Sequence, residues 1–296
     1  MFKNILGNET IKEMLEQALN GKKVSHSYMF VGTSGIGKKM IATEFAKSIL
    51  CLNSERYCNS CKSCIEFDSQ NHPDFLIIKP DGNKIKIEQI RELQKRIQEK
   101  PIISGKKVYI IDDADLMTKE AQNCLLKTLE EPPEYASLIL IGSSENAFLA
   151  TIKSRCMIIH FNPIPDEEIK NYLNENYQIK EITKNMLETF QGSIGKAIAL
   201  KDKQEEYQAV EKIIENLQKK DLIDIISLSE VLYKAKEEIT EILDYMNILL
   251  LKKAKTNEKY VNCIKIVEDT KKRLKQNANY DMAIDNLLFN IWEEII

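Results

Sequence analysis

The stretch Tyr28-Met29-Phe30-Val31-Gly32-Thr33-Ser34-Gly35-Ile36-Gly37-Lys38-Lys39, continued by Met40-Ile41-Ala42-Thr43-Glu44-Phe45-Ala46-Lys47, decides the fold. Four apolar residues run into a glycine-rich turn, and the turn opens onto a helical pattern. Glycines allow backbone N–H groups to curl around phosphate oxygens at a helix N-terminus, where a lysine at the end of the loop reaches the outer phosphates. Gly32, Gly35, Gly37 and Lys38 are therefore the candidate phosphate-cradling residues. Such a strand, loop and helix belong to a parallel α/β sheet.

Outward from this unit, short β-rich runs (Phe75 to Lys79, Val108 to Ile111, Leu138 to Ile141, Met157 to Phe161) alternate with helical stretches at Ile87 to Glu99 and Lys119 to Glu130. The order predicts parallel strands joined by right-handed crossovers. Pro165 to about Leu200 is helically patterned and broken at Gly192-Ser193-Ile194-Gly195, which suits a small helical lid. All seven prolines lie between Pro73 and Pro165, and Gly195 is the last glycine. Beyond it, apolar residues recur at helical spacing, as in Ile239, Ile242, Leu243, Met246, Leu249 and Leu250, or Ile284, Leu287, Leu288, Ile291 and Trp292. The expected organisation is an α/β nucleotide-binding-like domain at 1–165, a helical lid at 166–203 and an all-α bundle at 204–296, which the family resemblance set out below implies to be an oligomerisation collar.

The phosphate loop departs from an active one at the next position. An active loop carries Ser or Thr after the lysine, because that hydroxyl is a ligand of Mg²⁺ between the phosphates. Here the residue is Lys39, whose ammonium cannot ligate a metal. The second acidic element, Val108-Tyr109-Ile110-Ile111-Asp112-Asp113-Ala114-Asp115, keeps a metal-proximal carboxylate in Asp112. Asp113 follows where a Glu usually polarises the attacking water, one methylene too short for a group whose placement matters. Weak ATP or ADP binding, or none, without hydrolysis is the expectation.

Cys51, Cys58, Cys61 and Cys64 form a C-x₆-C-x₂-C-x₂-C pattern in a polar loop. Two-residue spacing lets neighbouring thiolates bend around one ion, and four sulfurs close a tetrahedral structural Zn²⁺ site. The zinc module is expected over about 51–67. Cys124 and Cys263 read as packing residues, and the scattered His26, His72 and His160 argue against a histidine metal site. Ser143 and Ser144 fit a strand-end turn, for which the family resemblance set out below implies a phosphate-sensing position as the alternative.

Bulk properties narrow the class. With 296 residues the chain can build more than one core. A hydrophobic share of 43% and a charged share of 29%, without a bilayer-length apolar run or a secretory N-terminus, lead us to expect a cytoplasmic protein without a membrane partner. The net charge of −3 lacks the basic excess of a free-standing nucleic-acid binder, so any DNA contact is expected to be local or shared with partners.

Several segments together resemble one family. The phosphate loop, the four-cysteine insertion, His72-Pro73-Asp74, Leu125-Leu126-Lys127-Thr128-Leu129-Glu130-Glu131-Pro132-Pro133 and Ser154-Arg155-Cys156 resemble bacterial clamp loader subunits of DNA polymerase III, which are AAA+ proteins. The likeness runs from about Gly7 to Leu200. The departures at Lys39 and Asp113, and Gly195 where active subunits carry a lid arginine, make the chain look like the delta-prime branch. The resemblance implies a hetero-pentamer with gamma/tau and delta subunits that loads a sliding clamp onto primed DNA. It implies Arg155 as an arginine finger acting in trans. The alternative is an ATP-hydrolysing gamma/tau subunit or a related autonomous DNA-dependent ATPase, for which Lys38 and Asp112 speak.

Overall fold

The computed structural model describes residues 1–21, 23–53, 57–179, 182–200, 204–216, 229–230, 232–236, 239–276 and 278–295. The chain separates into two compact units, Met1–Ile169 with Gly192–Gly195, and Lys170–Gln191 with Lys196–Ile296.

The first unit is a parallel five-stranded sheet, β1 (Ser27–Val31), β2 (Phe75–Ile78), β3 (Lys107–Ile111), β4 (Ala136–Gly142) and β5 (Met157–His160), in the order β2-β3-β4-β1-β5. Successive strand side chains point to opposite faces, and helices cover both, so each strand contributes to two cores. Tyr28, Phe30, Val108, Ile110, Ile139 and Ile141 face one core with α1 (Glu9–Asn20) and α2 (Lys38–Leu50). Met29, Val31, Tyr109, Ile111, Leu138 and Leu140 face the other with α4 (Ile87–Gln98) and α5 (Lys119–Glu130). Phe45 of α2 is fully buried and meets the Tyr28 ring edge-on at 5.4 Å. Truncating it to Ala costs about 3–5 kcal/mol.

The expected strands and helices all form, with ends shifted by a residue or two. α5 begins at Lys119 because the Thr118 side chain accepts from the Ala121 N–H, and Pro132-Pro133 closes the path beyond its end. A short α3 (Lys62–Asp68) lies inside the cysteine segment. Because parallel strands place their following loops on one edge, the segments after β1, β3 and β4 converge there.

The second unit is helical. Its helices include Lys184–Phe190, Gln204–Asn216, Ile239–Ala254, Lys259–Lys275 and Tyr280–Ile295. Ile239, Ile242, Leu243, Met246, Leu249 and Leu250 are buried, as are Ile284, Leu287, Leu288 and Ile291. Trp292, read as part of the second stripe, is half-buried instead. Its indole packs near Phe289, which is exposed. Residues 201–203 at the expected lid–collar boundary, and 54–56 of the expected zinc module, lie outside the described residues. Among the described residues no helix is long and apolar enough to cross a membrane.

Candidate functional site

Gly35 and Gly37 adopt φ of 78° and 95°, left-handed values that a side chain resists, and Gly37 turns the chain into α2. This presents the first turn of α2 to the carboxyl edge of the sheet. Lys38 is 7% exposed, and its ammonium donates to the carbonyls of Gly32 at 2.6 Å and Thr33 at 2.8 Å. Burial pulls its pKa down, opposed by the nearby Asp115, Asp113 and Asp112 carboxylates.

Lys39 reaches across from α2 to the end of β3, where its Nζ lies 2.8 Å from Asp112 Oδ2. Asp113 takes a left-handed φ of 49°, and its carboxyl pKa is raised by burial and by repulsion from Asp112 and Asp115. Asp115 accepts the Ser143 N–H at 3.1 Å and also the Ser143 hydroxyl. Ser144 accepts from Asn146 N–H at 3.3 Å and caps a 3-10 turn. Mg²⁺ takes octahedral oxygen ligation. With an ammonium held on Asp112 and no hydroxyl at position 39, these residues do not fit that ion.

The Gly192–Gly195 segment packs directly on the loop. Gly195 N–H donates to Gly35 O at 2.9 Å, and a Cβ on Gly195 would stand 3.0 Å from Gly35 Cα. Backbone therefore occupies the place where an arginine side chain would begin.

The cysteine pattern closes in space. The sulfurs of Cys51, Cys58, Cys61 and Cys64 all lie within 4.8 Å of one another, and Cys51 Sγ is 3.9 Å from Cys61 Sγ. A tetrahedral ion with Zn–S bonds of about 2.3 Å needs sulfurs roughly 3.8 Å apart, so the cluster fits a metal such as zinc. Cys58 Sγ accepts the Cys61 N–H at 3.3 Å, and Cys61 Sγ that of Cys64 at 3.5 Å. Hydrogen bonds from Ser60 and Cys61 bring the Cys58 thiol down to about 5, while burial pushes Cys64 up to about 12. Lys47 of α2 ties the module down through Asn59 at 2.6 Å, Asp68 at 2.7 Å and the Tyr57 ring. Ser63 donates to Leu50 O at 2.6 Å and meets His72 Nε2 at 2.9 Å.

Arg155 follows α6 (Ala150–Lys153) and precedes β5. Its guanidinium pairs with Glu130 Oε1 at 2.8 Å and donates to Thr151 O at 2.9 Å, and its side chain is 34% exposed. In the isolated chain it is thus an ion-paired surface residue.

A family model described as DNA polymerase III, delta subunit matches residues 7–165. The chain belongs to the DNA polymerase III delta subunit family. It is 35% identical over 205 residues to DNA polymerase III subunit delta' of Bacillus subtilis, across 69% of this chain and 62% of that relative. Identity to the tau/gamma subunit of Haemophilus influenzae is 32% over 209 residues, across 68% of this chain and 30% of that relative. The matched region is thus less than two thirds of either relative's length. A DNA polymerase III gamma subunit-related protein from Thermotoga maritima shares the fold, with a TM-score of 0.51 at 19% identity over 97% of this chain and 98% of that one. These likenesses place the chain among DNA polymerase III subunits of the delta and tau/gamma kind, with an AAA+-like fold.

Within this family member, Gly32, Gly35, Gly37, Lys38 and Asp112 meet at one edge of the sheet, and the four cysteines meet in a separate module. Arg155 is paired instead with Glu130 at the end of α5. Two participants escaped the sequence reading. Asp115 binds Ser143, and the only sign of it was a third acid in Asp112-Asp113-Ala114-Asp115. Asp74, fully buried, accepts the N–H groups of Ile102, Ile103 and Ser104 at 2.7, 2.8 and 3.0 Å. No local pattern marks that role, because its partners lie about thirty residues downstream.

Proposed function

We propose that this chain is a delta-prime-type clamp loader subunit, a stator that does not hydrolyse nucleotide and supplies Arg155 in trans to a neighbouring ATPase. The observation that carries this reading is the 2.8 Å pair between Lys39 and Asp112. Hydrolysis in this class relies on Mg²⁺ to bridge and neutralise the β- and γ-phosphates. The metal-proximal carboxylate is already paired with an ammonium, and Asp113, whose pKa is raised by burial, sits in a left-handed turn.

Its partners in this reading are gamma/tau and delta subunits in a hetero-pentamer acting on the sliding clamp and primed DNA, in the cytoplasm. The α/β unit at 1–165 carries the degenerate site, the segment 166–203 is the lid, and the bundle at 204–296 is the collar that assembles with partners. Cys51, Cys58, Cys61 and Cys64 hold a structural Zn²⁺, with no open position for catalysis. Arg155 contributes through its planar, permanently charged fork, which makes two directed hydrogen bonds to phosphate oxygens as charge develops on the departing γ-phosphoryl.

The test is a reconstituted pentamer in which only this chain is altered. Arg155→Ala leaves assembly intact and slows the adjacent site by about 10³-fold or more in clamp- and DNA-stimulated ATP turnover. Wild-type turnover in that assembly refutes the finger.

A further inference from the structure

The loop that cradles phosphate and the residue that excludes its metal stand side by side. Gly35 and Gly37 hold the left-handed turns, and α2 offers the N-terminus of a 13-residue helix. Lys38 carries three ammonium donors, two of which go to the Gly32 and Thr33 carbonyls. Its side chain is buried against these carbonyls of the loop itself. Lys39 is the unusual element. It sits one residue further along α2, with its side chain 45% exposed and its ammonium 2.8 Å from an Asp112 that is 14% exposed. It thus projects a cation from the first turn of α2 onto the carboxylate that would help hold a metal.

We propose that Lys39 is a built-in counter-cation standing in for the divalent metal, so that the loop takes a nucleoside di- or triphosphate in its metal-free form. This deepens the non-hydrolysing reading and rests on it. An ammonium with three rotatable donors can keep one bond to Asp112 and turn another toward a phosphate oxygen. A magnesium–nucleotide complex would bring a double positive charge close to that ammonium, with Asp112 already neutralised, and like charges at this range repel strongly. Metal-free nucleotide meets no such penalty. Lys38 and Lys39 then supply the positive charge that Lys and metal share in an active loop. Asp113 and Asp115 supply no metal ligation in this arrangement. The Asp115 carboxylate is engaged by the Ser143 N–H and hydroxyl, and Asp113 sits in a left-handed turn.

The test is calorimetric titration of the full chain with ADP and ATP, once in EDTA and once in excess Mg²⁺. Wild type binds more tightly in EDTA, by about tenfold. Lys39→Ser, which supplies the missing hydroxyl and frees Asp112, reverses the order so that Mg²⁺ strengthens binding. Manganese resonance with ADP gives a second readout. The Lys39→Ser variant immobilises Mn²⁺, whereas wild type leaves the metal signal as in protein-free nucleotide. Tighter wild-type binding in Mg²⁺ overturns the proposal. No wild-type binding in either buffer also overturns it, while leaving the stator reading intact, because that reading rests on turnover in the assembled loader. Magnesium-dependent binding together with turnover by the isolated chain overturns both.

Discussion

Arg155 and Glu130 are joined by an ion pair of 2.8 Å, from the last residue of α5 to the turn before β5. It links the two segments that most resemble clamp loader subunits. The partners are 34% and 48% exposed, and such pairs contribute about 0–1 kcal/mol. In the proposed trans role, exchanging Glu130 for a phosphate bound by a neighbouring subunit would therefore be inexpensive. Glu130→Ala is expected to shift the urea midpoint by the equivalent of less than about 1 kcal/mol. Arg155→Lys should restore only part of the turnover lost in Arg155→Ala, because an ammonium lacks the bidentate fork. Full rescue by lysine would mean that charge alone is sufficient there.

Lys38→Ala is expected to leave the ATP turnover of the assembled loader nearly unchanged. If this site performs no turnover, deleting its phosphate-reaching charge removes nothing rate-limiting. The measurement is steady-state phosphate release with clamp and primed DNA. Loss of a large share with assembly intact would instead identify the chain as a motor subunit.

Metal analysis should find one zinc per chain purified without chelator. Thiolate sites couple metal binding to local folding, so chelation should raise amide exchange over the described parts of the segment from Cys51 to Phe67. β1, β3 and β4 should remain protected, since their residues are packed between two helical layers. A Cys61→Ser, Cys64→Ser double variant that kept full zinc occupancy would reject this ligand set.

Asp74 makes stability depend on acid. Burial alone would raise its pKa, but the N–H groups of Ile103, Ile102 and Ser104 outweigh it and hold the pKa below the ordinary value. Its stabilisation is present above the unfolded carboxylate pKa of about 3.9 and is lost as pH falls through the lower folded value. Asp74→Asn should cost about 2–4 kcal/mol at neutral pH, since one amide oxygen cannot serve three donors. That difference should shrink in urea melts below about pH 4. His72, whose pKa burial lowers, adds an acid limb beginning nearer neutrality. The diagnostic quantity is therefore the gap between wild type and variant, and a gap constant with pH would reject the role of the carboxylate.

Gly192→Ala tests the segment that packs on the phosphate loop. Gly192 has φ of 71°, and an added Cβ would lie 2.3 Å from Pro163 Cβ and 2.7 Å from Ile164 N. Both backbone strain and overlap oppose it, at a cost of about 1–3 kcal/mol or more. Thermal melts that matched wild type would show that this turn relaxes freely.

The amino-acid order by itself determined the elements whose causes are local. Val31 to Lys38 could only be a strand, a glycine turn and a helix start, and Thr118 before Lys119 set where α5 begins. The two-residue cysteine spacing likewise announced a metal-sized cluster before any coordinate placed four sulfurs within 4.8 Å. Lys39 was legible as a defect, because a lysine cannot do what a hydroxyl does. That its ammonium lands on Asp112 depends on β1 and β3 lying in one sheet with β4 between them, which no local pattern encodes. The same holds for Asp115 with Ser143, Asp74 with the 102–104 backbone, Gly195 against Gly35 and Arg155 with Glu130. Each joins residues 25 to 160 positions apart in sequence. Such pairs are set by strand order and by how closely two backbones approach, and these emerge only when the whole unit has packed.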